Sequence, residues 1–244
     1  MILEDLLQTL DVDTRIRKIR QGVFHTAVLT RYCGLAASLP REALVQTPPL
    51  VKEAGHLAQK SASALAEMAF SDSILEAAIG MATINSLLAR NDGDAVELNA
   101  AELICRRSEG KNVVIVGHFP FIPKVGEVAR RLWVIEKHPQ KGDASASAAA
   151  DLIPRAEVLA VTGSSFTNHT FEDLTALKPR RAFAVVLGDS APLSPVLFDY
   201  GVDAVCGTRV VDAERAMQCV SEGANFRQIK GVQRLTMLKS REND

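Results

Sequence analysis

The sequence predicts an α/β protein: a small α+β module followed by a Rossmann-like domain built on a parallel sheet. Three observations carry this. From Asn112 onward, short β-branched runs alternate with helical segments, as they do where a parallel sheet is buried on both faces. Four of the five runs end in glycine, at Gly117, Gly163, Gly188 and Gly207. The first hundred residues instead place strand-like sequence ahead of helices, the order of an α+β unit. The expected boundaries are 1–108 and 109–244.

Met1 to Leu10 reads as a short amphipathic helix. From Thr14 to Ala37 apolar and polar residues partly alternate, interrupted by Gly22 and Gly34, which predicts an antiparallel meander of two or three strands. Helices are expected near Val51 to Lys60 and Ser61 to Phe70. A longer one, SDSILEAAIGMATINSLLAR, carries Ser73 and Glu76 at capping-box spacing. Its apolar residues cover more than one face, so it should be largely buried. NDGD at Asn91 to Asp94 should end it.

The second half then reads as strand Asn112–Gly117, helix Lys124–Arg131 and strand Leu132–Glu136. A small-residue run, Ala144 to Ala150, leads to strand Glu157–Gly163 and helix Thr170–Leu177, with Thr170 and Asp173 as a second capping box. Strand Phe183–Gly188 precedes a helix opening at Ser194-Pro195, with proline in the first helical position. Strand Val202–Gly207 and a helix capped by Asp212 follow.

Composition bounds the function. Apolar residues at 47% and charged residues at 23% suit a folded chain with a sizeable core. A net charge of −1 builds no field for nucleic acid or anionic membrane. The acidic start MILEDLLQTLDVD lacks a secretory signal's positive charge, and no apolar run approaches a membrane span. The four cysteines stand far apart with no C-x-x-C pair, which argues for reduced thiols in the cytoplasm.

Ligands of doubly wound sheets bind outside the carboxyl ends of the strands, at the switch in strand order. That rule selects Gly117, His118 and Phe119 after the first strand, and Glu136 after the second. It selects Thr162, Gly163, Ser164 and Ser165 after the third, with Asn168 beyond, and Gly188, Asp189 and Ser190 after the fourth. Glycine there would let a ligand approach the backbone.

The loop after the first strand, GHFPFIP, has the position of a dinucleotide-binding turn but not its chemistry. Phe119 and Ile122 replace the second and third glycines, and Pro120 and Pro123 remove two N–H donors. Glu136 stands where a ribose-binding acid would stand, which keeps a nucleotide or S-adenosylmethionine open beside a plain strand end. In the turn TGSSFTNHT, a helix start and its hydroxyls suit an anion, worth ~0.3–1 kcal/mol when exposed; ordinary capping explains the same residues. Asp189 suits a metal, a sugar hydroxyl or a turn cap.

His118, His138 and His169 follow three successive strands, yet no pair has the i, i+4 spacing of a helical metal site. His25 and His56 read as core or surface residues, and Cys206 as a buried thiol. No G-x-S-x-G elbow and no G-x-x-x-x-G-K-[ST] loop exists.

VVIVGHFPFI, VIEKHPQKGD, DLIPRAEVLAVTGSSFTNHTFEDL, VVLGDSAPLSPVLFDYGVDAVCGTRVVD and SILEAAIGMATINSLL together resemble an uncharacterised prokaryotic family labelled putative heavy-metal chelation proteins. The resemblance implies a module like the amino-terminal domain of enolases joined to a Rossmann-like domain. It maps the family's glycine to Gly117, its glutamate to Glu136, its G-D to Gly142-Asp143, and its later turns to Thr162–Ser164 with Asn168 and to Gly188–Ser190. It does not imply enolase chemistry, because only the non-catalytic module is shared.

The expectation is a cytoplasmic small-molecule-binding protein whose ligand is anionic or metal-chelating and sits in the interdomain cleft. A divalent metal, or an organic molecule that chelates one, is the cofactor such a ligand implies. The alternative is a transferase or lyase of metal-cofactor metabolism in the same cleft, with Glu136, Asp189 or His118 as acid–base groups. A homodimer is the expected assembly, with neither nucleic acid nor membrane insertion involved.

Overall fold

The structure, a computed structural model, describes residues 1–39, 50–90 and 93–240. The chain opens with α1 (Ile2–Gln8), followed by β1 (Lys18–Gln21), β2 (His25–Leu29) and β3 (Cys33–Ala37). Then come α2 (Ala62–Glu67), α3 (Ile74–Leu87) and α4 (Ala100–Ser108). The alternating half contains β4 (Asn112–Val116), α5 (Ile122–Val128), β5 (Arg131–Glu136), β6 (Ala144–Ser145) and α6 (Ala149–Leu152). It continues through β7 (Val158–Thr162), α7 (Ser164–Thr167), α8 (Phe171–Ala176), β8 (Phe183–Leu187) and α9 (Val196–Asp199). β9 (Ala204–Val210), α10 (Ala213–Ser221) and β10 (Val232–Leu238) complete it.

Two sheets form among the described residues. The first is the expected meander, antiparallel in the order β1-β2-β3. Its apolar alternation is weak for a physical reason: β2 and β3 are covered on both faces. The α3 helix packs on one face and α10 on the other, where Ala27, Cys33 and Leu35 meet Ala216, Met217 and Val220.

The second sheet has the order β10-β9-β8-β7-β4-β5-β6. Its strands run parallel except β10, which lies antiparallel to β9 from Val232 to Leu238. The α/β class is therefore as read, but the sheet is only mostly parallel. VQRLTML follows Gly231, but its apolar and polar residues do not alternate with the period of two that marks a half-buried strand. The order reverses between β4 and β7, so the loops after these two strands flank the switch point.

Local expectations met tertiary competition. Segment 51–60 contains a short 3-10 turn at Leu57–Gln59 rather than a full helix. The Ser73/Glu76 capping box does not form. The Ser73 hydroxyl donates to the Leu50 carbonyl, while Glu76 accepts from the Lys52 N–H at 2.9 Å and the Ser71 hydroxyl at 2.6 Å. Both side chains thus bind the segment that crosses over α3 instead of the helix's own N–H groups. α3 ends at Leu87; Asn91 and Asp92 of the expected stop lie outside the described residues. Thr170 is the N-cap of α8 but turns its hydroxyl to Asn168 Oδ1 at 2.6 Å. Pro195 sits one place early, at the N-cap of α9. Asp212 caps α10 as expected, accepting the Arg215 N–H at 3.0 Å.

α4, which no sequence signal selected, is capped by Asn99 and puts Leu103 and Ile104 against Val113, Ile115 and Val158 of the parallel sheet. Among the described residues no helix is long and apolar enough to cross a membrane.

Candidate functional site

The strand ends of the second sheet separate into two groups. Those of β8 and β9 lie packed beneath the first sheet and α3, whereas those of β4, β5 and β7 form a partly open edge at the switch point.

In the covered group, Asp189 and Ser190 are 6% and 2% exposed. The Ser190 Oγ accepts the Ala37 N–H at 2.8 Å, closing β3 against the end of β8. The Asp189 carboxylate faces the His25 imidazole at 3.0 Å and takes donors from Arg234 and Thr208. Burial pushes its pKa upward, but His25, Arg234 and Thr208 outweigh that and hold it below the usual carboxylate range.

Two glycines expected at strand ends serve packing: Gly163, which follows β7, and Gly207, which lies within β9 because that strand runs on to Val210. A Cβ on Gly163 would stand 2.5 Å from the Ala191 N, and one on Gly207 would stand 2.7 Å from Leu193 Cγ. The close approach that glycine permits is made here by the chain itself. Gly188 holds a left-handed φ of +125° at the turn into Asp189. The hollow beneath the first sheet, lined by Asn85, Arg90, Ala191, Leu193, Thr208 and Arg209, measures about 30 Å³. That is room for a water or two and not for an organic ligand.

The open edge is built differently. Gly117 leaves β4 with φ +103°, and a Cβ there would meet the Thr162 Cβ at 2.9 Å. The loops after β4 and β7 therefore touch across the switch point. Phe119 and Phe121 stack at 5.2 Å and 15°, with the Phe119 ring over Gly117. An aromatic wall stands where a nucleotide's phosphates would lie, and Pro123 falls in the first turn of α5. His118 is exposed beside them.

Its Nδ1 lies 3.3 Å from Asp143 Oδ2, and that carboxylate is almost fully covered. Asp143 is held in place by its own turn. The Gln140 N–H donates to Oδ2 at 3.0 Å, the Asp143 N–H donates to the Gln140 carbonyl at 3.0 Å, and Gly142 supplies φ +100° at the third position. His118 Nε2 has no hydrogen-bond partner among the described residues.

Beside this pair, the Thr162 and Ser164 hydroxyls are 3.0 Å apart and partly exposed. Glu136 ends β5 next to β6 and accepts the Lys137 N–H at 2.7 Å. Ser165 is turned inward, its hydroxyl donating to the Thr162 carbonyl at 2.6 Å. Asn168 is occupied by Thr170.

The structure thus brings Gly117, His118, Phe119, Thr162 and Ser164 to one edge, with Glu136 on the neighbouring strand. It sets Gly163, Ser165, Asp189 and Ser190 in contact with other parts of the chain, Gly188 in a turn, and Asn168 against Thr170. The three histidines do not converge. His169 adopts φ +57° and sets Nε2 2.8 Å from the Ala69 carbonyl, and His138 has its own interaction within the chain. His25 is in the core and His56 at the surface. Among the described residues no three His, Cys, Asp or Glu side chains converge as a metal cage. Burial lifts the Cys206 thiol to about 11, and Thr236 donates to its sulfur. The pairing of His25 and Arg234 with Asp189 had no local sequence signal, since β2 and β10 lie far from β8 in the chain.

Comparison with known proteins agrees with this architecture. A family model described as "Putative heavy-metal chelation" (DUF364) matches residues 99–239, and a second with the same description (DUF4213) matches residues 3–88. Two solved structures are similar over nearly the whole chain. One, from Desulfitobacterium hafniense DCB-2, has a TM-score of 0.87 at 24% identity and covers 98% of each chain. The other, from Pyrococcus horikoshii, has a TM-score of 0.83 at 20% identity, again covering 98% of each. Both are described as proteins of unknown function from the DUF364 family. No curated protein matches.

Proposed function

Because this chain belongs to the DUF364 family, described as "Putative heavy-metal chelation", we propose that it binds a small organic chelate of a divalent metal at the open switch-point edge. The observation that carries this reading is the His118–Asp143 pair. An imidazole with one nitrogen 3.3 Å from a covered carboxylate, and the other without a hydrogen-bond partner among the described residues, is placed much as metal-ligating histidines are.

A bare ion fits this edge poorly, because the described side chains bring one imidazole and no cage around it. A metal already wrapped by an organic chelator fits better. It needs one further ligand, and nitrogen from histidine suits the later transition metals. Thr162 and Ser164 would donate to the chelator's oxygens, and Phe119 with Phe121 would cover its apolar side. Glu136, one strand over, would favour a complex with residual positive charge.

Titration with nickel nitrilotriacetate, a chelate with open positions, tests the reading. Wild-type protein is expected to bind it and to shift its visible spectrum. His118→Ala should lose the shift, and Asp143→Asn should weaken binding by about tenfold or more. Equal binding by wild type and His118→Ala would overturn the proposal. The same dyad also suits acid–base work, so a reaction whose rate fell in both variants without any change in chelate affinity would favour the enzymatic reading instead.

A further inference from the structure

The opposite edge of the second sheet carries a feature that the switch-point site does not use. An open cleft of about 420 Å³ lies at the amino-terminal ends of β5, β4, β7 and β8. It is lined by Arg130, Arg131, Arg155 and Arg181, with Trp133 and a single acid, Glu157. The chain as a whole has a net charge of −1, so this is a local concentration of cations. Three separate segments supply them: the link from α5 into β5 with Arg130 and Arg131, the approach to β7 with Arg155, and the approach to β8 with Arg181.

Among the described residues, one of the four, Arg130, has a carboxylate partner. Glu157 takes the Arg130 guanidinium at 2.5 Å and also the Asn112 N–H at 3.0 Å. Arg131, Arg155 and Arg181 have no carboxylate partner among the described residues. The convergence registers on the one acid present. The Asn112 N–H first, and then Arg130, Lys111 and Arg181, hold the Glu157 carboxyl below its usual range. Like charges lining one cleft repel one another unless an anion lies among them. Arg131 lies over the Trp133 ring at 5.4 Å, which fixes one guanidinium at the cleft wall. The volume falls within the range of small-molecule sites, about 300–1,000 Å³, and exceeds what a lone ion fills.

We infer that this cleft binds the phosphate groups of a phosphorylated small molecule through Arg131, Arg155 and Arg181. Arginine suits this task because its planar donors pair two at a time with phosphate oxygens. The phosphates could come from inorganic pyrophosphate or from a nucleoside diphosphate, and the chemistry recognised is the same.

Trp133 is the protein's sole tryptophan, so its fluorescence reports on the cleft directly. Full-length protein at low salt is titrated with pyrophosphate and, separately, with ADP, with adenosine as the uncharged reference. A saturable change in emission with either phosphate compound, and none with adenosine, is expected. Tighter binding of ADP would identify the nucleotide as the source, and equal binding the inorganic anion. Arg155→Ala and Arg181→Ala, both at exposed positions, should each weaken binding about tenfold or more. Raising the salt to a Debye length of about 3 Å should weaken it further. No response to either compound at millimolar concentration, or affinities unchanged in both arginine variants whose melting matches wild type, would overturn the assignment.

Discussion

The Asp189 carboxylate, just past the end of β8, lies 3.0 Å from the His25 imidazole on β2. One buried acid therefore joins the two sheets, with Arg234 of β10 and Thr208 of β9 completing its surroundings. Its partners come from three strands, so removing it should loosen the seam between the two halves of the molecule.

Asp189→Ala leaves the Arg234 cation and a buried imidazole facing no acid. A loss of about 1–3 kcal/mol is expected, the effect of leaving buried donors without their acceptor, since Arg234 is itself 37% exposed. Urea unfolding with an unchanged slope would measure it. A midpoint equal to wild type would show that the seam does not depend on this acid.

The same carboxyl predicts an acid limb. Its folded pKa lies below the unfolded value of 3.8. Its contribution is therefore complete above that value and is lost as pH falls from there through the folded pKa. Melting temperatures followed from pH 6 down to pH 2 should drop in this window. Asp189→Asn should flatten the drop; an identical profile in that variant would assign the acid limb to other carboxylates.

Gly163→Ala should destabilise the protein by about 1–3 kcal/mol. The added methyl meets the backbone of Ala191, which cannot swing aside as a side chain would. This loss should appear in thermal melting without any ligand, which separates packing from a binding role at this position.

Thiol titration at pH 8 should divide the cysteines. Burial lifts Cys33 to about 12 and Cys206 to about 11, so both stay protonated and covered. Cys105 and Cys219 are partly exposed and should react first with an aromatic disulfide reagent. All four should react at comparable rates once the chain is unfolded. Rapid modification of Cys206 in the native protein would contradict this.

Much of the fold was legible because its signals are local. The runs NVVIV, VLAVT and FAVVL are too short and too β-branched for buried helices, and glycines mark their ends. The switch-point loops followed from the same pattern. The capping boxes at Ser73 and Thr170 misled because a cap is a local competition: at Thr170 the winner was Asn168, two residues upstream, and at Ser73 it was a distant partner. The Leu50 carbonyl took the Ser73 hydroxyl, and no window of sequence around Ser73 contains that oxygen.

The candidate site divides along the same line. Glycine and polar residues at strand ends were visible at once, but whether each faced solvent or another layer was not. Asp189 and Ser190 resemble Thr162 and Ser164 in sequence, yet Ser190 meets a backbone amide 153 residues away, while Thr162 and Ser164 remain at an open edge.

By itself, then, the sequence determined the alternation of strands and helices, the positions of the turns at their ends, and the family, because each is written in short-range period and residue type. Which turns are covered by the amino-terminal layer, which histidine gains a carboxylate, and where the arginines gather were decided only by tertiary structure. Those properties depend on contacts between segments far apart in the chain, and burial and charge are set by whatever lies across the gap.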